Sequence, residues 1–379
     1  MALLSLQTEK FRNLSTARLE FSPSVNLIYG ENGSGKTSLL EAIGYLGLGR
    51  SFRQHRHKVV CHQGDQAFVI FGQVQSAGGN TSQGELARLG FSRDVQSQET
   101  RLRVNGENVY SLSVLASLFP VSVIDPGVFD IVAGGPGKRR QFLDWLVFHV
   151  EPSFGSVWQQ CQRSISQRNR ILRSGTIDDH LLQVWDRQFV ELAEQVDQLR
   201  TEVFRVFQDE FRETLVNSHS EWADNLKVDY YPGWDRKKGL QDTLREHREQ
   251  ERKVGHTLYG PNRADVRLRF DGRAVAELFS RGQQKTLVIL MKLSQGKVLA
   301  DQGKQVTFLL DDINAELDQA HRRLLADRLI RLGSQVFLTT IERPDPTDLW
   351  DSPLPDHKMF HVEHGQLTEE QTSASGASE

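Results

Sequence analysis

One segment constrains this chain more than any other. Gly30-Glu31-Asn32-Gly33-Ser34-Gly35-Lys36-Thr37 satisfies G-x-x-x-x-G-K-[ST] at every fixed position. It follows Val25 to Tyr29, a short apolar run fit for a buried strand, and precedes Leu39, Leu40, Ile43 and Leu46 at helical spacing. Strand, glycine loop and helix in that order make an anion site for physical reasons. The glycines let the backbone curl so that successive N–H groups converge on the β- and γ-phosphates of a nucleotide. Lys36 adds a point charge there, the Thr37 hydroxyl can ligate Mg²⁺, and the helix beginning near Lys36 presents its positive dipole end.

A phosphate loop alone does not separate a kinase from a GTPase or a transporter motor. Val306 to Leu310 reads as a buried strand that ends in Asp311-Asp312, so two carboxylates come to the edge where the loop lies. Asp311 is assigned to Mg²⁺, directly or through water, and Asp312 to orienting or deprotonating the attacking water. A third motif, Ser280-Arg281-Gly282-Gln283, stands just before the apolar helical stretch Thr286 to Leu293. Ser280 occupies an N-cap position there, and the free N–H groups behind it offer a second anion site.

The segments around these motifs divide the chain. Leu4, Leu6 and Thr8, then Leu19 and Phe21, alternate as half-buried strands do, and Ala67 to Val74 and Leu102 to Val104 add strands, the latter closed by Asn105-Gly106. From Lys138 to about Lys253 apolar residues fall at three-to-four spacing, which predicts helices interrupted at Pro152, Gly155, Gly175 and Tyr231-Pro232-Gly233. Strands return with Val266, Leu268 and Phe270, and with Gln335 to Thr340. The expected architecture is an α/β nucleotide-binding head, a mixed sheet with helices built from both chain ends, with a helical lobe inserted. The boundaries are 1–125 for the N-terminal part, 126–253 for the lobe, 254–365 for the C-terminal part with the Ser280 and Asp311 motifs, and 366–379 for a disordered tail.

Here the residues resemble a family. The Gly30 loop, Ser280-Arg281-Gly282-Gln283, Asp311-Asp312 and Glu316-Leu317-Asp318 look like the ABC-type ATPases of the SMC class. More narrowly, Phe11-Arg12-Asn13-Leu14, Gly49-Arg50-Ser51-Phe52-Arg53, Gly135-Pro136-x-x-Arg139-Arg140-x-Phe142-Leu143-Asp144 and Gln167-Arg168-Asn169 resemble the RecF family of bacterial recombination mediators, over about residues 1 to 365. The resemblance implies ATP and Mg²⁺ as cofactors, and an ATP-dependent homodimer on double-stranded and gapped DNA. RecR and RecO would be partners, with RecA loaded downstream, and the ATPase would be weak and DNA-stimulated, used as a switch. It also implies that Arg12, Asn13 and Asp318 help hold the nucleotide, and that Ser280 of one subunit faces the γ-phosphate held by Lys36 of the other. Three positions depart from the common pattern. Asp312 stands where many ABC ATPases have Glu, which implies slow hydrolysis; Thr339-Thr340 stands where many have a switch His; and Gly127 follows Pro126 where most family members carry Glu.

Composition narrows the remaining choices. With 46 Lys plus Arg against 49 Asp plus Glu, the net charge of −3 gives no global attraction to a polyanion, so DNA contact has to come from local patches. The candidates are Arg50, Arg53, Arg56 and Lys58, the pair Arg139 and Arg140, and Arg163, Arg168 and Arg170 in an acid-free stretch from Pro152 to Ile177. No helix-turn-helix or RNP-like motif is present, so phosphate contacts without base preference are expected. The longest aliphatic run, Leu287 to Met291, is far too short to cross a bilayer, and Ala2 to Leu6 has no basic region before it, so a cytoplasmic chain is expected. A transporter motor would carry a much shorter insert than the 243 positions from Thr37 to Ser280. An SMC-like structural protein would need longer unbroken heptads, and a small-molecule kinase needs no Ser280 motif. Cys61 and Cys161, 100 positions apart, are expected to be small buried hydrophobes.

Overall fold

The computed structural model describes residues 2–14, 16–53, 60–75, 85–174, 179–218, 221–350 and 354–370. It forms two compact units, 1–128 with 296–379, and 129–295. The boundary falls inside the helix Arg281–Asp301.

The first unit is built on two sheets. One is antiparallel and runs β2 (Ala17–Glu20), β1 (Ala2–Glu9), β4 (Ala67–Gln75), β5 (Leu86–Asp94), β6 (Thr100–Val104), β7 (Glu107–Val109). The other runs β15 (Gln366–Glu370), β14 (His357–Glu363), β3 (Val25–Tyr29), β13 (Gln335–Thr340), β12 (Thr307–Leu310), β8 (Val121–Ile124). It is parallel from β14 to β8, and only the edge pair β14–β15 is antiparallel. The helix Lys36–Leu48 packs against β4 and β5 of the first sheet and β8 and β13 of the second. Sandwiched in this way, it buries Leu39, Leu40, Ile43 and Leu46 and also the charged Glu41 and Lys36. Buried Gln335 accepts from the Leu3 N–H at 2.7 Å and donates to the Leu3 and Ser22 carbonyls at 2.8 Å, so the polar groups where β1 meets β13 are satisfied.

The second unit is mostly helical, with helices Pro136–Val150, Phe154–Leu172 and Asp179–Asn217. The last keeps Phe189, Val196, Val203, Phe207 and Phe211 inside along one stripe. The unit also holds a small sheet, β11 (Arg273–Ala274), β10 (Asp265–Phe270), β9 (Leu226–Tyr231).

Several boundaries differ from the sequence reading. Residues 254–295, expected with the nucleotide head, belong to the helical unit. The segment 366–370, expected in the tail, is β15, hydrogen-bonded to β14; 371–379 lies outside the described residues. Gly155 sits in the first turn of a helix and does not break it. In β1 the buried residues are Ala2, Leu3, Leu6 and Thr8 and not the alternating Leu4, because a register shift between Leu3 and Ser5 moves the chain by one position. Both cysteines are buried as expected, and burial pushes the Cys161 thiol up to about 12.

Candidate nucleotide site

β3 and β12 are not neighbours; β13 lies between them, and the candidate site forms at the carboxyl ends of these three strands. The loop Gly30–Thr37 leaves β3 and the Asp311-Asp312 pair leaves β12. Strands about 4.8 Å apart would hold the two sets roughly 10 Å apart. The turn of the loop closes that gap. Thr37, in the first turn of the helix, donates its hydroxyl to Asp311 Oδ1 at 2.9 Å. Thr339, on the strand between, donates to the same Oδ1 at 3.1 Å and accepts from the Asp312 N–H at 2.9 Å.

The loop is tightly made. Gly30 has φ 153° and its N–H donates to the Ile341 carbonyl at 3.2 Å; a Cβ there would fall 2.2 Å from the Val362 carbonyl oxygen. No side chain fits that approach. Gly33 and Gly35 also have positive φ, 81° and 123°. Lys36 is 8% exposed and folds back so that Nζ donates to the carbonyls of Gly30 at 2.6 Å and Glu31 at 2.8 Å. Ser34 N–H closes the turn on the Glu31 carbonyl at 3.2 Å. Asn13 donates to the Gly33 carbonyl at 3.3 Å and accepts from the Ser38 hydroxyl at 2.7 Å, which ties the Arg12-Asn13 turn to the loop and its helix.

The electrostatics are those of a site held out of water. Burial holds the Lys36 ammonium below the ordinary lysine value, opposed by the charges of Asp312 and Asp311. Burial pushes the Asp311 carboxyl above its usual value, opposed by the hydroxyls of Thr37 and Thr339 and by the charge of Arg53. Asp312 has left-handed backbone, φ 52° and ψ 43°, a conformation Asp tolerates better than most residues. Its Oδ1 is buried without a hydrogen-bond partner among the described residues, and so is Ser34 Oγ. Two orphaned buried oxygens, beside a hydroxyl and a carboxylate in contact, suit a hard divalent cation and a nucleotide phosphate. Thr37 and Asp311 are the residues that would hold Mg²⁺.

Arg12 is less available than expected. Its guanidinium makes a two-point pair with buried Glu41, Nη2 to Oε1 and Nε to Oε2 both at 2.8 Å, and Ser51 Oγ also donates to Glu41. Asp318 caps the helix Gln319–Arg331, accepting from the His321 N–H at 2.9 Å, which lowers its carboxyl. Glu41 was missed by the sequence reading; a glutamate amid Leu39, Leu40 and Ile43 on an apolar helix was the available signal.

In the helical unit the Ser280 motif is an exposed capping box. Gln283 N–H donates to Ser280 Oγ at 3.3 Å, and Ser280 N–H donates to Gln283 Oε1 at 2.8 Å. Ser280, Arg281, Gly282 and Gln283 all face solvent, and a Cβ on Gly282 would meet nothing. Phe279, immediately before, is buried against Trp222 and Phe270 and anchors the motif.

The basic candidates separate into two groups. Arg50, Arg53, Arg163 and Arg170 are exposed; Arg56 and Lys58 lie outside the described residues. Arg168 is fully buried, with Nε on Asp186 at 2.7 Å, Nη2 on Glu251 at 2.5 Å and Nη1 on Thr257 at 2.8 Å. Arg139 makes a two-point pair with Asp265 at 2.7 and 3.2 Å and donates to the Gly134 carbonyl at 2.8 Å, and half-buried Arg140 donates to the Ala264 carbonyl at 2.7 Å. Arg139 and Arg168 are structural arginines, because most of their donors are committed inside the fold, whereas Arg140 is tied by one donor only. Arg168 in particular cannot reach a phosphate.

Residues 2–349 match the model of the RecF/RecN/SMC N-terminal domain family. Among similar proteins, the DNA replication and repair protein RecF of Marinobacter nauticus is 63% identical over 98% of this chain and all of its own length. That of Pseudomonas aeruginosa is 41% identical over the whole of both chains. Of solved structures, the recombination mediator protein RecF-ATP in the RecFOR pathway superposes with a TM-score of 0.85, at 25% identity over 97% of each chain. An Smc head bound to the C-terminal winged-helix domain of ScpA superposes at 0.58 with 14% identity, over 99% of this chain and 98% of its own, and so shares the fold. With the family model spanning nearly its whole length and relatives this close, the chain belongs to the RecF family and has the ABC-type ATPase fold of RecF and SMC heads.

Proposed function

We propose that the chain is an ATP-dependent DNA-binding protein of replication and recombinational repair. ATP held between two copies clamps a dimer on double-stranded and gapped DNA, and slow hydrolysis releases it. The observation that carries the nucleotide assignment is the Thr37–Asp311 contact, at 2.9 Å between residues 274 positions apart, beside a buried lysine whose charge no carboxylate neutralises by direct contact among the described residues. A desolvated cation on two carbonyls is a poor resting arrangement and a good receptor for phosphate. The relatives' names, DNA replication and repair protein and recombination mediator of the RecFOR pathway, support the biological setting; RecO and RecR as partners in loading RecA are part of the same proposal.

Lys36 binds the β/γ-phosphates, and the loop N–H groups orient them. Thr37 and Asp311 would hold Mg²⁺, which when bound neutralises phosphate charge. Asp312, with Oδ1 unpartnered among the described residues and its N–H held by Thr339, orients water and accepts its proton. Its short side chain and fixed backbone suit slow turnover. Ser280 and the exposed N–H groups behind it supply the facing half of the site from the second copy. Lys36→Ala tests the assignment. Loss of a charged hydrogen bond of about 1.5–3 kcal/mol weakens ATP binding roughly 10- to 150-fold in a fluorescent-nucleotide titration. Unchanged affinity would place the nucleotide elsewhere.

A further inference from the structure

The tip of the β14–β15 hairpin is buried at a single residue. Glu363 and Gln366 pair across a two-residue turn, His364-Gly365, with φ of 47° and 79°. Glu363, His364 and Gln366 are exposed, whereas Gly365 is buried. What buries it is the nucleotide site. Gly365 N–H donates to the Ser34 carbonyl at 2.8 Å, and a Cβ on Gly365 would fall 1.9 Å from the Asn13 carbonyl oxygen. One residue of this hairpin thus wedges between Ser34 of the phosphate loop and Asn13, which hydrogen-bonds to that loop.

The rest of the hairpin holds the same loop. The Val362 carbonyl, three residues before Gly365, is the group a Cβ on Gly30 would strike. β14 runs parallel to β3, pairing His361 with Tyr29, the residue before Gly30. Tyr29 donates its hydroxyl to Glu370 at the end of β15, and Arg343, just past the β13 strand that carries Thr339, reaches the same carboxylate at 3.0 Å.

We propose that the hairpin β14–β15 is a brace for the phosphate loop, with Gly365 a positioning residue that fixes Ser34 and Asn13 for nucleotide binding. This rests on the nucleotide assignment above. A simpler demand on Gly365 is the turn itself, which favours glycine at positive φ. The chain contains a matched case. Asn105-Gly106 makes the same kind of two-residue turn between β6 and β7, with φ of 53° and 90°, and a Cβ on Gly106 would meet nothing within 4 Å. Turn strain is common to both glycines; contact with the phosphate loop belongs to Gly365 alone of the pair.

The test compares Gly365→Ala with Gly106→Ala in the full chain, measuring melting without nucleotide and the affinity for a fluorescent ATP analogue well below the melting temperature. Both variants should melt lower. Only Gly365→Ala should bind the analogue more weakly, by about tenfold or more, while Gly106→Ala binds as wild type. If wild type binds the analogue and Gly365→Ala binds equally well, the brace is overturned and the nucleotide site stands. If wild type itself does not bind, the nucleotide assignment fails first and the brace with it. Should Gly365→Ala not fold, Glu370→Gln decides: a severalfold weaker affinity supports the brace, and an unchanged one overturns it.

Discussion

Replacing Arg168 by Met separates a structural arginine from a DNA contact. The guanidinium is fully buried and binds Asp186, Glu251 and Thr257, and Thr257 in turn donates to Asn169. After the substitution Asp186 keeps Arg248 at 3.0 Å, but Glu251, also fully buried, keeps only the Leu258 N–H at 2.8 Å among these contacts. An uncompensated buried carboxylate of this kind costs about 3–5 kcal/mol. For a unit of this size each kcal/mol lowers the melting temperature by about 2–4 °C, so a loss of roughly 10 °C is expected. Calorimetry of Arg168→Met, and of Arg168→Met with Glu251→Gln, is the assay. The second change removes the stranded charge and should return a large part of the loss. If Arg168→Met melts within about a degree of wild type and instead lowers the salt dependence of DNA binding, Arg168 is a phosphate ligand and not a structural arginine.

The other expectations follow the same geometry. Asp312→Asn should keep ATP binding through Lys36 and Thr37 yet stop turnover and trap the dimer; a phosphate-release assay showing faster hydrolysis would remove Asp312 from the mechanism. Because the folded Lys36 is shifted down by burial, its charged form opposes folding; that penalty is full below the folded pKa and gone once pH exceeds the ordinary lysine value. Lys36→Met should therefore melt at or above wild type near neutral pH without nucleotide, and ATP affinity in wild type should fade on the alkaline side before an ordinary lysine would titrate. With Arg50, Arg53, Arg163 and Arg170 as the exposed candidates, log K for DNA should fall with log salt at a slope of roughly −4, and Arg50→Ala with Arg53→Ala should flatten it by about 2 for all sequences alike. A salt-independent affinity refutes the assignment of these arginines to phosphate contact.

The nucleotide half of the molecule was legible because its information is local. Eight consecutive residues specify the loop, the apolar run before them the strand, and the Leu39–Leu46 spacing the helix. What was not legible depends on distance in the chain. An acid-free stretch around Arg168 is not acid-free in space, since its partners Asp186 and Glu251 come from 18 and 83 positions away. β9 was read into the helical run because Leu226-Lys227-Val228 alternates for too few residues to stand out from helical spacing on either side. β15 was lost because its polar sequence gains its order from pairing with β14 and from the Glu370 tie to Tyr29 and Arg343. A bulge near Leu4 shifted the buried face of β1, which no alternation pattern reveals.

The central claim is that ATP is shared between Lys36 of one copy and Ser280 of another. Ser280→Arg is a clean probe because the motif is exposed and its loss removes one capping hydrogen bond, about 1 kcal/mol, leaving the phosphate loop intact. Sedimentation velocity with ATP, Mg²⁺ and duplex DNA should show wild type as a dimer and Ser280→Arg as a monomer that still binds ATP. Lys36→Ala should be a monomer that does not, and an equal mixture of the two variants should partly regain the dimer through one intact composite site. A Ser280→Arg protein that dimerises with ATP as wild type does would contradict the shared site.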